Sequence, residues 1–187
     1  MNIYTKSPSL LSSGISRLLL VDLQEKLLPA MHGGDEVVAN CEKLIAGAQI
    51  LNVPLSATEQ YPKGLGPTIP QIAEHIPQRP DKLRFSCAEA LDWATADRTA
   101  TARHQIVLAG IETHVCVLQT AFDLLANQFD VFVVADAVTS RKPQDYKFAL
   151  KRMRDSGVQL VTTEMVLFEW CEVAGSDEFK QISKLVR

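Results

Sequence analysis

The chain has 187 residues, 47% of them hydrophobic and 22% charged, a balance that excludes intrinsic disorder because enough apolar surface exists to offset chain entropy. A formal net charge of −3 leaves no basic excess to neutralise a run of phosphates, and no apolar run approaches the about 18 residues of a spanning helix, so neither nucleic acid nor membrane is an expected partner. Four cysteines without a secretory leader pattern point to a reducing, cytoplasmic setting rather than a disulfide framework.

In chain order, residues 1–14 are Ser-rich with one Lys and read as an N-terminal arm to a single domain spanning 1–187. Arg17 to Val21 is a buried strand closed by Asp22. Residues 35–51 place Val37, Val38, Cys41, Leu44, Ile45, Ala48 and Leu51 at spacings of three and four, which predicts a helix. Val53 to Ala57 reads as the second strand. Residues 58–70 hold three of the nine prolines and two of the nine glycines and read as a loop. A short helix is expected at 70–76, a short strand at 79–83 and a helix from Ser86 to Arg98. Gln105 to Ala109 is an apolar strand, followed by a helix over 113–127 and a strand from Val131 to Ala135. Pro143 near the start and Gly157 just past the end bracket a helix over 143–156. Val158 to Thr162 is the last strand, and short helical pieces close the chain.

Strand and helix alternate six times, and the strands are continuous apolar runs, as burial on both faces requires. This predicts an α/β protein with a parallel sheet covered on both sides. In such open sheets ligands sit beyond the carboxyl ends of the strands, so the chemistry should lie where strands end.

Three strand ends carry candidates: Asp22, Lys82 and Cys116, the last in the turn Ile111-Glu112-Thr113-His114-Val115-Cys116. A thiol in the first turn of a helix is favoured as a thiolate by unsatisfied N–H groups and the helix dipole, and a nearby ammonium adds to this. A carboxylate can take the thiol proton and later hand it to a leaving group. Thr113 is placed to act as N-cap. Each residue also has a bland reading, as a turn aspartate, a solvated lysine and a small buried hydrophobe, and spacing alone does not decide between the two.

The segments LLLVDLQ at 18–24, TEQYPKGLGPT at 58–68, KLRFSC at 82–87, LAGIETHVCVLQTAFDLL at 108–125 and VVADAVTSR at 133–141 resemble the isochorismatase-like cysteine hydrolases, closest to the isochorismatase domain-containing branch. The resemblance covers about residues 15–170 in colinear order. It implies a three-layer α/β/α sandwich around a six-stranded parallel sheet, Rossmann-like in build, with an Asp–Lys–Cys catalytic triad. Asp22 then matches the acid/base, Lys82 the lysine that steadies the thiolate, and Cys116 the nucleophile. The resemblance further implies a cis Ile111–Glu112 peptide, with the N–H groups of Glu112 and Cys116 directed at a substrate oxyanion. Gln24, Tyr61 and Thr113 are candidate substrate contacts. A homo-oligomer, dimer or higher, is implied as well.

Two departures narrow the expectation. Nicotinamidases of this family hold a metal through an Asp-x-His pair and a further His, whereas Thr58-Glu59-Gln60-Tyr61 contains no histidine. No catalytic metal or other cofactor is therefore expected. Isochorismatases proper do not depend on a cysteine at the nucleophile position. The expected function is a metal-independent cysteine hydrolase of a small amide-like or related C–N substrate, acting through a thioacyl-enzyme. Enol-ether hydrolysis of the isochorismatase type, or a catalytically weak scaffold, is the alternative. Cys41 and Cys87 read as structural, Cys171 has no evident role, His114 reads as a partly exposed helix-start residue, and Lys63 and Arg141 read as solvated.

Overall fold

The computed structural model describes residues 5–93, 95–97, 99 and 102–187. Six strands form one sheet: β1 (Ser16–Val21), β2 (Leu55–Gln60), β3 (Asp81–Lys82), β4 (Gln105–Ile111), β5 (Asp130–Thr139) and β6 (Gln159–Val161). All neighbours are parallel, in the order β3-β2-β1-β4-β5-β6. The chain winds outward from β1 on one side and from β4 on the other, so the order reverses between these two strands. A crevice for ligand opens at such a switch point.

Side-chain alternation builds two cores. Leu18 and Leu20 of β1, Val107, Ala109 and Ile111 of β4, and Phe132 and Val134 of β5 face one side. Leu19 and Val21, Ile106 and Leu108, and Val131 and Val133 face the other. The first face packs against α1 (Gly34–Ile50) and α6 (Thr163–Cys171) through Val37, Cys41, Leu44, Ile45, Val166 and Trp170. The second packs against α4 (Leu118–Ala126) and α5 (Pro143–Asp155) through Leu118, Ala121, Leu124, Ala149 and Met153. With each buried Leu or Val worth roughly 1.5–3 kcal/mol, the two apolar layers dominate the stability. Two short helices, α2 (Pro62–Leu65) and α3 (Pro70–Ala73), lie between β2 and β3, and α7 (Asp177–Leu185) closes the chain against α1.

Local chemistry sets the helix ends. Asp35 and Glu36 in the first turn of α1 and Arg152 and Arg154 in the last turn of α5 complement the helix dipoles. Ser176 caps α7 by accepting from Phe179 N–H at 3.0 Å. The arm is docked: Leu11 is fully buried and its N–H donates to Glu169 Oε2 at 2.7 Å. Gly110 is required by its neighbours. Its φ is +112°, and a Cβ there would stand 2.2 Å from the carbonyl oxygen of Val21. This close approach brings the carboxyl ends of β1 and β4 together.

Several boundaries differ from the sequence expectation. β2 runs through Gln60, so 58–60 belong to the sheet rather than to a loop. β5 continues to Thr139. The helix expected from Ser86 to Arg98 does not form among the described residues, which are turns and bends; Cys87 N–H is taken by Thr120 Oγ1 at 2.9 Å. The helix expected over 113–127 begins as a π turn, Thr113–Val117, and becomes α-helical only at Leu118.

Candidate active site

Asp22 leaves β1 in the left-handed conformation, φ +51°, which Asp tolerates better than most residues, with its side chain fully buried. Thr58 on β2 donates to Oδ1 at 2.8 Å, and Lys82 on β3 donates to Oδ2 at 2.7 Å. The Lys82 ammonium also donates to Gln60 Oε1 at 2.7 Å and to Phe85 O at 2.9 Å. Cys116, 6% exposed, faces Asp22 and donates to Gln60 Oε1 at 3.9 Å. Three groups scattered along the chain thus converge at the β1/β4 switch point. Beside Lys82 a cavity of about 360 Å³ opens, lined by Asp81, Leu83, Arg84, Ser86, Glu89 and Ala90 as well as by Lys82 itself.

The electrostatics are those of a neutral thiol beside an ion pair. Burial pushes the Cys116 thiol well above the ordinary range, and the negative charge of Asp22 pushes the same way; Lys82 pulls it down but does not prevail. Burial alone would lower the Lys82 ammonium, yet Asp22 beside it holds it above its usual value. The helix start does not favour a thiolate at Cys116. Cys116 sits in the π turn, and the N–H groups of Val115 and Val117 are already committed to Glu112 O at 3.1 and 3.2 Å.

The remaining candidates separate. The Ile111–Glu112 peptide is cis. The Glu112 side chain accepts from Arg141 Nε at 2.9 Å, so Arg141 is ion-paired rather than simply solvated. Thr113 is not an N-cap, because Glu112 occupies that position; its fully buried Oγ1 has no hydrogen-bond partner among the described residues. The Gln24 amide is spent on backbone, donating to Gln60 O at 3.0 Å and Gly66 O at 2.6 Å and accepting from Gln60 N–H at 2.7 Å. Tyr61 is half-exposed, and its N–H donates to Lys82 O at 3.0 Å. His114 Nδ1 meets Ser140 Oγ at 3.0 Å. Cys41 is core.

Thr58 and Gln60 are not among the residues the sequence singles out, because the polar run after Ala57 reads as loop. Their two-residue spacing at the end of a strand is the signal that places both on one face. Cys87, read as structural, stands 3.3 Å from Thr58 Oγ1, one hydrogen bond from Asp22. Thr58 gives its only proton to Asp22, so the Cys87 thiol is the donor in that contact.

The constellation lies at the switch point of a doubly covered parallel sheet, an α/β protein of hydrolase-like fold. A profile of the isochorismatase domain matches residues 16–165. The chain is 42% identical over 177 residues to isochorismatase domain-containing protein 2 of Danio rerio, covering 94% of this chain and 89% of that one. Among solved structures it superposes with TM-score 0.84 on the MAR1 ribonuclease of Caenorhabditis elegans, at 36% identity, covering 95% of this chain and 92% of the other. It superposes with TM-score 0.83 on the YcaC product of Escherichia coli, described as an octameric hydrolase of unknown specificity, at 26% identity, covering 97% and 92%. The chain belongs to the isochorismatase family.

Proposed function

We propose that this chain is a metal-independent cysteine hydrolase of a small amide-like or related C–N substrate, working as one domain within a homo-oligomer. The observation that carries the reading is the meeting of Asp22, Lys82 and Cys116 at one buried point. In this reading Asp22 takes the Cys116 proton as the sulfur attacks the substrate carbonyl. The N–H groups of Glu112 and Cys116 hold the oxyanion. The protonated Asp22 then gives its proton to the departing nitrogen, leaving a thioacyl-enzyme, and next takes a proton from the water that releases the acid. Lys82 pairs with Asp22 and holds it in place. Thr113, with an unspent buried hydroxyl, and the half-exposed Tyr61 are assigned to substrate contact; Gln24 is assigned to holding Gln60 and Gly66. The octameric relative supports an oligomer. A cytoplasmic site of action is supported by four free cysteines, and no helix among the described residues is long and apolar enough to cross a membrane.

The test is a panel of small primary and secondary amides, read by ammonia or amine release and by intact mass. A mass increase on Cys116 matching the acyl fragment, absent in Cys116→Ala, supports the reading. Amide turnover that survives Cys116→Ala would refute the thioacyl-enzyme, and hydrolysis of an isochorismate-type enol ether that persists in Cys116→Ala would point instead to enol-ether chemistry, which needs no sulfur nucleophile. Absence of both turnover and adduct across the panel would favour a scaffold role.

A further inference from the structure

The Cys116 sulfur faces an acceptor that the proposed chemistry leaves idle. Gln60 Oε1 lies 3.9 Å from it. The orientation of this amide is fixed on every side. Nε2 donates to Leu83 O at 3.0 Å, Oε1 accepts from Lys82 at 2.7 Å, and Gln24 grips the Gln60 backbone through both its N–H and its carbonyl. A flipped amide would set N–H hydrogens against the ammonium and an oxygen against a carbonyl. An amide oxygen accepts only: it suits a thiol hydrogen and repels a thiolate.

Lys82, whose charge favours a thiolate, offers the sulfur no hydrogen bond to set against this. Its ammonium has three hydrogens, and Asp22 Oδ2, Gln60 Oε1 and Phe85 O, at 2.7, 2.7 and 2.9 Å, use them all. No N–H remains to reach the sulfur, so the lysine acts on it through space alone.

We propose that Gln60 is a positioning residue that keeps Cys116 a thiol in the resting site, by presenting an acceptor to the sulfur and by occupying the Lys82 hydrogen that would otherwise reach it. This rests on the reading of Cys116 as nucleophile. The charged and titratable groups facing the sulfur are Asp22 from β1, Lys82 from β3 and Cys87 from the segment after β3. Glu112 and His114, its neighbours in the chain, are turned to Arg141 and to Ser140 and Asp145. The raised thiol is the electrostatic counterpart of this arrangement. A thiol resists oxidation where a thiolate does not, so the sulfur is protected until a carbonyl enters and Asp22 removes the proton.

The experiment measures iodoacetamide alkylation of Cys116 against pH in the full chain, by peptide mass, in the parent, Gln60→Met and Gln60→Glu proteins. Cys116→Ser serves as the blank and circular dichroism as the folding check. Gln60→Met removes the acceptor and frees a lysine hydrogen, so alkylation at about pH 8 should rise about tenfold, one unit of pKa. Gln60→Glu adds a negative charge and should slow it by a similar factor. A residue that merely supports the fold would shift both variants the same way. Shifts of equal sign, or an unmoved profile, overturn the proposal. If Gln60→Glu does not fold, absence of acceleration in Gln60→Met suffices to overturn it. The readout needs no substrate, so it stands apart from the amide panel: acyl-enzyme formation with an unmoved profile refutes this inference alone.

Discussion

Lys82 Nζ lies 2.7 Å from Asp22 Oδ2, across sixty residues of chain, with both side chains out of solvent. Burying two charges is tolerated only where each satisfies the other and further hydrogen bonds complete their shells. Thr58, Gln60 and Phe85 O supply those bonds.

Removing one member is therefore expected to cost more than removing both. Lys82→Met strands the Asp22 carboxylate and should destabilise the fold by about 3–5 kcal/mol in urea denaturation. The Asp22→Asn/Lys82→Met double variant should recover a large part of that loss. A strictly additive double variant would show that the pair does not couple.

Cys116→Ala should remove turnover by at least about 10⁴-fold, as expected for a member of a cooperating catalytic group. Its unfolding free energy in urea should stay within about 1 kcal/mol of the parent, since Cys to Ala removes a single buried sulfur atom. Loss of activity together with a collapsed melt would make the residue structural.

The buried thiols give stability a specific dependence on pH. Burial, with Asp22 adding to it, pushes Cys87 from 9.0 to about 11, and Cys41 and Cys116 move in the same direction. A raised thiol stays protonated in the folded chain while the unfolded chain releases its proton, so the contribution is full below pH 9 and is lost as pH rises from there toward 11. The slope is at most about 1.4 kcal/mol per pH unit for each thiol. Urea midpoints between these limits should fall, and Cys87→Ala should flatten the curve. A flat profile in the parent would contradict the burial of these groups.

Gly110→Ala drives a methyl into the Val21 backbone at a positive φ. Backbone cannot retreat as a flexible side chain can. The expected loss is at least about 3 kcal/mol, with reduced soluble yield. Gly157→Ala has nothing within 4 Å of the added Cβ and strains only its own φ of +102°, so it should cost clearly less.

The sheet was legible in the sequence because burial on both faces leaves little choice but Leu, Ile, Val and Ala along the central strands. Its edge was not. Thr58, Glu59 and Gln60 are polar because they end β2 beside the candidate site, and polarity after an apolar run reads as loop. The stretch after Ser86 has helix-like spacing, but Cys87 N–H is bound to Thr120 and its described residues lie in turns and bends. The π turn has no sequence signature that separates it from the start of an α-helix. Asp22, Lys82 and Cys116 were singled out as strand-end chemistry and given roles by family resemblance. Gln60 and Thr58, which tie the three together, emerged only from the coordinates.

β3 meets the sheet over two residue pairs, Glu59 with Asp81 and Gln60 with Lys82. So short a margin is expected to open in small excursions before the molecule melts. Each excursion would carry off the ammonium and abandon a carboxylate in an apolar interior, which would draw the strand back. The ion pair is thus a latch on the border of the sheet. Amide exchange around residues 81–85 and the lifetime of a working centre become two views of the same clasp opening and shutting.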